Sequence, residues 1–170
     1  MFSWLKRGED RAPESQRATL LYGAVREALA GADDVHVRIV GSIAALLLCV
    51  AYADASYDDS EEQVLREQLS RIQGLDAAGV EAIARVLREH TALIIGAEGT
   101  SYARELLELT DDGFRHELLD VLVDVAAADD EITVAETNML RSITKALGLS
   151  PEDYLAAQAR HRDKLAVLKK

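Results

Sequence analysis

The sequence predicts an all-α fold, a single-domain bundle of about eight helices, and three observations carry that prediction. Apolar residues recur at three- and four-residue spacing along almost the whole chain, with no convincing period-two strand. Only two prolines and ten glycines interrupt 170 residues rich in Ala, Leu, Glu and Arg, a balance that favours helix over sheet. The third observation is an internal pseudo-repeat of helix–turn–helix units. The domain is expected over residues 15–170, behind an N-terminal tail of residues 1–14.

The first helix is expected from about Ser15 to Leu29, with Leu21, Val25 and Leu29 on its inner face. "GADD" (Gly31 to Asp34) stops it and caps a second helix running to Asp54 through the apolar run "IVGSIAALLLCV". A third starts near Asp59 and ends at "QGLD", where Gly74 is the C-terminal glycine. The fourth carries Val80, Ile83, Leu87 and Ile94 and halts at Gly96, and a shorter one spans Ser101 to Leu109. The sixth, Asp111 to Ala128, is apolar at Phe114, Leu118, Val121 and Val125. The seventh covers Thr133 to Leu147 and ends at Gly148. The last opens with "SPED", an N-cap Ser followed by Pro at the first helical position.

Composition narrows the function. A net charge of -11 argues against nucleic acid or anionic lipid as partner of the main body, and is compatible with cation binding. The lone Cys49 excludes an internal disulfide and a cysteine-based metal site, and its apolar setting reads as a small buried hydrophobe. "MFSWLKRGEDR" has no apolar segment behind its basic residues, so no signal peptide is expected. The run from Ile39 to Ala53 is about 15 residues, short of the ~20 that a spanning helix needs. A cytoplasmic protein without a transmembrane segment is expected; Phe2, Trp4 and Leu5, with Lys6 and Arg7, could touch a membrane surface, a lesser alternative to a tail packed on its own domain or disordered.

The acids after the second helix raise a question. Asp54, Asp58, Asp59, Glu61 and Glu62 follow a helix C-terminus, where the backbone dipole is already negative. Shifted by 75 residues, "LLCVAYADASYDDSEEQVLR" falls on "LVDVAAADDEITVAETNMLR". Asp54 then meets Asp129, Glu61 meets Glu136, Leu65 meets Leu140 and Arg66 meets Arg141. One turn beyond the buried stripes of their helices, Asp54 and Asp129 are expected on the core side, where a charge needs a partner.

Three readings compete. "DDSE" (Asp58 to Glu61) and "TVAE" (Thr133 to Glu136) are capping boxes, which explains the glutamates but not the aspartates. Arg66 and Arg141 could reach back to Asp54 and Asp129 as ion pairs. Alternatively, both carboxylates and a turn carbonyl close on a hard cation, Ca2+ or Mg2+. The turn is too short for an EF-hand and lacks its central Gly.

The residues resemble the TerB-like proteins, associated with bacterial tellurite resistance, whose fold also occurs at the N-terminus of the DjlA co-chaperones. Their hallmark is an apolar helix ending "A-D-G-x-I", with Glu at the seventh residue after the Asp, found twice. Here it stands as "ADASYDDSE" from Ala53 and "ADDEITVAE" from Ala128, and the resemblance runs from about Ile39 to Arg160. It implies an all-helical, non-catalytic module with a divalent-cation role for Asp54, Asp58 and Glu61 in the first turn. In the second it implies Asp129, Asp130, Glu131 and Glu136. Family context further implies a stress response conducted through protein partners; a homo-oligomer stays open, as does a purely structural scaffold whose acids are caps and ion pairs. Tellurite is itself an anion, which an acidic chain would not attract.

Two departures matter. The family glycine is Ala55 in the first copy and Asp130 in the second, and Ala resists a left-handed turn more than Asp. A reshaped first turn would draw on Asp58, Asp59 and Glu62, and the second turn is expected to bind a cation more tightly.

The enzyme reading is thin. "HELLD" (His116 to Asp120) stops one residue short of the zincin HExxH, and His36, His90 and His161 form no cluster. No phosphate loop or nucleophile elbow is present.

Overall fold

The computed structural model describes residues 11–55, 59–96, 99–128 and 131–165, with side chains from residue 19 onward except residue 60. Nine α-helices are formed among the described residues: α1 (Arg11–Ala28), α2 (Asp34–Ala51), α3 (Asp59–Ser70), α4 (Ala77–Glu89), α5 (Thr91–Ile95), α6 (Gly99–Leu109), α7 (Asp112–Ala126), α8 (Val134–Ala146) and α9 (Pro151–Gln158). A 3-10 segment, Ala159–Lys164, follows α9. The all-α expectation holds.

α2 is the hub. Its residues Ala44 to Ala51 are all buried, and it touches every helix from α1 to α8. By length and composition it could cross a membrane, but two-thirds of it is buried inside the bundle, as befits a core helix. Buried Leu21, Val25 and Leu29 from α1 join Val80, Ile83 and Leu87 from α4, as their helical spacing requires. α9 closes the far side against α7 and α8.

Helix ends follow local chemistry. Asp33 caps α2 by accepting from the His36 backbone N–H at 2.7 Å. Gly74 and Gly148 take φ of +93° and +74°, terminating α3 and α8 in the left-handed conformation. Three expectations need correction. The fourth helix breaks at His90, which turns the chain into α5. α2 ends at Ala51, so Asp54 lies in the following turn and is exposed, not on the core side. On α7 the buried face runs through Leu118, Leu122, Val125 and Ala126, leaving Val121 and Phe114 at its edge.

The repeat is real in three dimensions. α2 contacts α8 while α3 contacts α7, the reciprocal pattern of two related helix pairs. The correspondence continues past the helix pairs: Gly74 matches Gly148, and Asp76, the N-cap of α4, matches Ser150, the N-cap of α9.

Candidate functional site

Both acidic turns are built by one backbone device. Tyr52 N–H donates to the Leu48 carbonyl and Ala53 N–H to the Val50 carbonyl, at 2.9 and 3.1 Å. The counterparts, Ala127 to Val123 and Ala128 to Val125, are 2.9 and 3.0 Å. Ala55 then takes φ +66°, alone among described non-glycine residues in being left-handed. The first turn therefore keeps the conformation of the glycine it lacks, at roughly 1 kcal/mol of strain.

The helices on either side of the two turns share one small cleft. Glu61 and Glu136, equivalent residues of the two copies, line it with Ala51, Val64, Val125 and Ala128. Its volume is about 10 Å³, room for about one water or ion. Asp54, Glu61, Glu131 and Glu136 are each engaged by further polar or electrostatic contacts. Asp54 and Glu131 are exposed, whereas Glu61 and Glu136 are half-buried. Asp58, Asp129 and Asp130 lie outside the described residues, as do Phe2, Trp4 and Leu5. Among the described residues, no group of three metal-ligating side chains is close enough to hold an ion. A cation here would have to complete its shell with carbonyls, water and the acids of residues 129 and 130.

Several acids have structural partners. The second capping box forms as expected: Thr133 Oγ1 accepts from the Glu136 N–H at 3.1 Å, and Glu136 Oε2 accepts from the Thr133 N–H at 2.7 Å. The expected Arg66–Asp54 ion pair does not form among the described residues, and the Arg141–Asp129 pair lies outside them. Arg66 goes to Glu62 and to Glu81, and Arg141 lies over the ring of Tyr154, 5.8 Å from its centroid. Glu62, 3% exposed, is held between Arg66 and Arg88, and Arg88 also reaches Asp59. Glu62, together with Asp59, thus braces α3 against α4.

A third structural element holds the second turn. The Lys164 carbonyl accepts from the Ile132 N–H, and the Lys164 ammonium donates to the Ala127 carbonyl, both at 2.7 Å. Here is a positive group at an acidic helix end, as the helix dipole demands. Its spacing from the turn, over thirty residues, left no mark in the sequence.

Elsewhere, sequence reading missed a polar cluster joining α1, α2 and α6. Arg38 Nε donates to Glu105 Oε1 at 2.6 Å, and Tyr22 and the fully buried Ser42 both donate to Glu105 Oε2. Burial and then the Glu105 carboxylate push the Tyr22 phenol well above its ordinary range. Gly41 and Ser42, small and polar residues inside an otherwise apolar run, were the available signal. Cys49 is 2% exposed, and burial pushes its thiol up to about 12, so it stays protonated and unreactive at neutral pH.

The zincin-like residues do not converge. His116 Nε2 lies 3.2 Å from Asp153, Glu117 is exposed, and Asp120 pairs with Arg160 at 3.1 Å.

Comparison with known proteins settles the family. The family model described as tellurite resistance protein TerB matches residues 41–159, from α2 into the 3-10 segment. The chain belongs to the TerB family. The match contains both turns and the cleft between them, and TerB is not a known catalytic family. No curated protein and no solved structure matches the chain significantly.

Proposed function

We propose that this TerB chain is a non-catalytic binding module in which the two acidic turns together hold one divalent cation, Ca2+ or Mg2+. The observation that carries the reading is the convergence of Glu61 and Glu136, far apart in sequence, on one ion-sized cleft. Two acidic side chains lining one half-buried cleft stabilise a positive charge held beside them. Hard cations take oxygen ligands and tolerate mixed shells of carboxylate, carbonyl and water, which turns of this kind can supply. Asp54 and Asp129, at equivalent positions ahead of the glutamates, would be the further ligands. In this reading the module serves a cytoplasmic stress response of the tellurite-resistance type through protein partners, with the cation setting the shape of the two turns.

A specific observation favours a second reading, a scaffold without metal: Glu136 already serves the capping box, and Glu62 and Asp59 serve ion pairs. Calorimetry with Ca2+, Mg2+ and Mn2+ separates the two. The cation reading expects saturable heat and a rise in melting temperature with metal. Glu61→Gln should reduce both; Glu136→Gln should do so while keeping the box, since Gln also suits that position. No heat and no shift for the wild type would leave the scaffold. Comparing Asp54→Asn with Asp129→Asn then ranks the turns, the larger loss being expected for Asp129→Asn.

A further inference from the structure

A concavity lies away from the acidic turns, between α8 and α9. It encloses about 540 Å³ and is lined by Leu149, Pro151, Tyr154 and Leu155, with Arg141, Lys145 and Thr144 along the α8 side. Leu155 is 56% exposed at its lip, more than any other large apolar side chain described. An exposed leucine beside a mostly apolar hollow is the usual mark of a surface that something covers.

Charge says what covers it. The chain carries 30 acidic and 19 basic residues, yet both charged residues lining this groove are basic. Arg141 stacks on Tyr154, and neither Arg141 nor Lys145 forms an ion pair among the described residues. Four apart on one helix, they stand side by side on its exposed face. Thr144 is spent on the Leu140 carbonyl at 2.7 Å, and the Tyr154 hydroxyl accepts from Gln158 at 2.7 Å, so the floor offers little further polar recognition. A ligand must therefore bring an apolar anchor for the hollow and carboxylates for the rim.

We infer that the α8–α9 groove docks an acidic amphipathic helix of a partner protein, its leucine-type side chains beside Leu155 and Tyr154 and its carboxylates on Arg141 and Lys145. This is the helix-in-groove mode, with the anchor supplying affinity and the cations setting orientation and choice of partner. It is independent of whether the acidic turns bind metal.

The probe is a short, fluorescein-labelled amphipathic peptide of Leu and Glu, with a Leu and Lys peptide as its counterpart, titrated into the full-length protein. The Leu/Glu peptide should bind, should shift backbone amide signals between Arg141 and Leu155, and should weaken as salt rises. Arg141→Glu with Lys145→Glu should weaken it about tenfold or more, and Leu155→Asp by a similar factor. All three positions are exposed, so unchanged melting curves are expected and mark the variants as folded. Equal binding of both peptides, insensitivity to charge reversal, or amide shifts confined elsewhere would overturn the proposal. So would a wild-type dimer, seen by sedimentation, that Leu155→Asp dissolves, because the groove's occupant would then be a second copy.

Discussion

Tyr52 and Ala127 close α2 and α7 with the same backbone bonds, but the segments beyond them are held by different chemistry. In the first copy, Glu62 is buried between Arg66 and Arg88 and ties α3 to α4. Its equivalent in the second copy is Thr137, buried and uncharged. There the turn is fixed instead by the Thr133–Glu136 box and by Lys164, which returns from beyond α9 to bond Ala127. A second contrast lies at the other end of the same helices. His116 and Asp153 meet across α7 and α9, whereas the equivalent positions in the first copy are Gly41 and Gly79. Those glycines admit α1: the Tyr22 ring lies over Gly41, and Ala28 packs on Gly79. The repeat thus conserves backbone turns and one cleft, while each copy is braced by whatever its neighbours provide.

The largest effect should come from the charged brace. Glu62→Ala leaves Arg66 and Arg88 beside a hole, and the loss should be roughly 3 kcal/mol, moderated by the partial exposure of both arginines. Thr137→Ala should cost less than half as much in the same urea titration. Equal costs would mean that the two copies are not braced differently. Next comes Gly41→Ala, where the new Cβ would stand 2.3 Å from the Tyr22 ring. The ring cannot retreat without leaving Ser42 and Glu105, so a loss of roughly 2 kcal/mol is expected despite the better helix propensity. Gly79→Ala, with its Cβ 3.0 Å from that of Ala28, should be nearly neutral.

These contrasts also show what the sequence could tell. Helix existence, the Asp33 and Ser150 caps and the buried Leu21, Val25 and Leu87 were legible, because spacing and capping are local. The pairing of Glu61 with Glu136 across the cleft was not, although the repeat named both residues: a shift in sequence gives equivalence, not proximity. Assigning Arg66 to Asp54 failed because an arginine's choice depends on the helix packed beside it, here α4 with Glu81. Lys164 was invisible for the same reason.

A smaller effect bears on the first turn alone. Ala55 is strained at φ +66°, and Ala55→Gly removes that strain while adding freedom to the unfolded chain. The net gain should be about 0.5 kcal/mol in chemical denaturation. If calcium binds, the variant should also narrow the difference between Asp54→Asn and Asp129→Asn. A loss of stability would show that the methyl group packs usefully where the backbone is strained.

The smallest effect concerns the contact that glycine replaces in the first copy. The His116 ring lies against the Asp112 carbonyl at 2.8 Å and the Asp153 carboxylate, and these two, in that order, raise its pKa above the ordinary 6.5. A histidine whose pKa is raised by folding contributes stability in full below about pH 6.5, and loses it as pH climbs through the folded value. The ring is 42% exposed, so solvent screens the contact and a few tenths of a kcal/mol is the expected scale. The Ser150 backbone N–H holds the Asp153 carboxyl below the usual carboxylate range, so it stays ionised over that window and the change belongs to the imidazole. The stability difference between wild type and His116→Gln, followed from about pH 5.5 to about 8.5, should therefore shrink toward zero with rising pH. A difference that is flat, or that grows, would mean that α9 is held to α7 by its apolar contacts and the Ser150 cap alone. The second copy would then need no charge in the place where the first has Gly41 and Gly79.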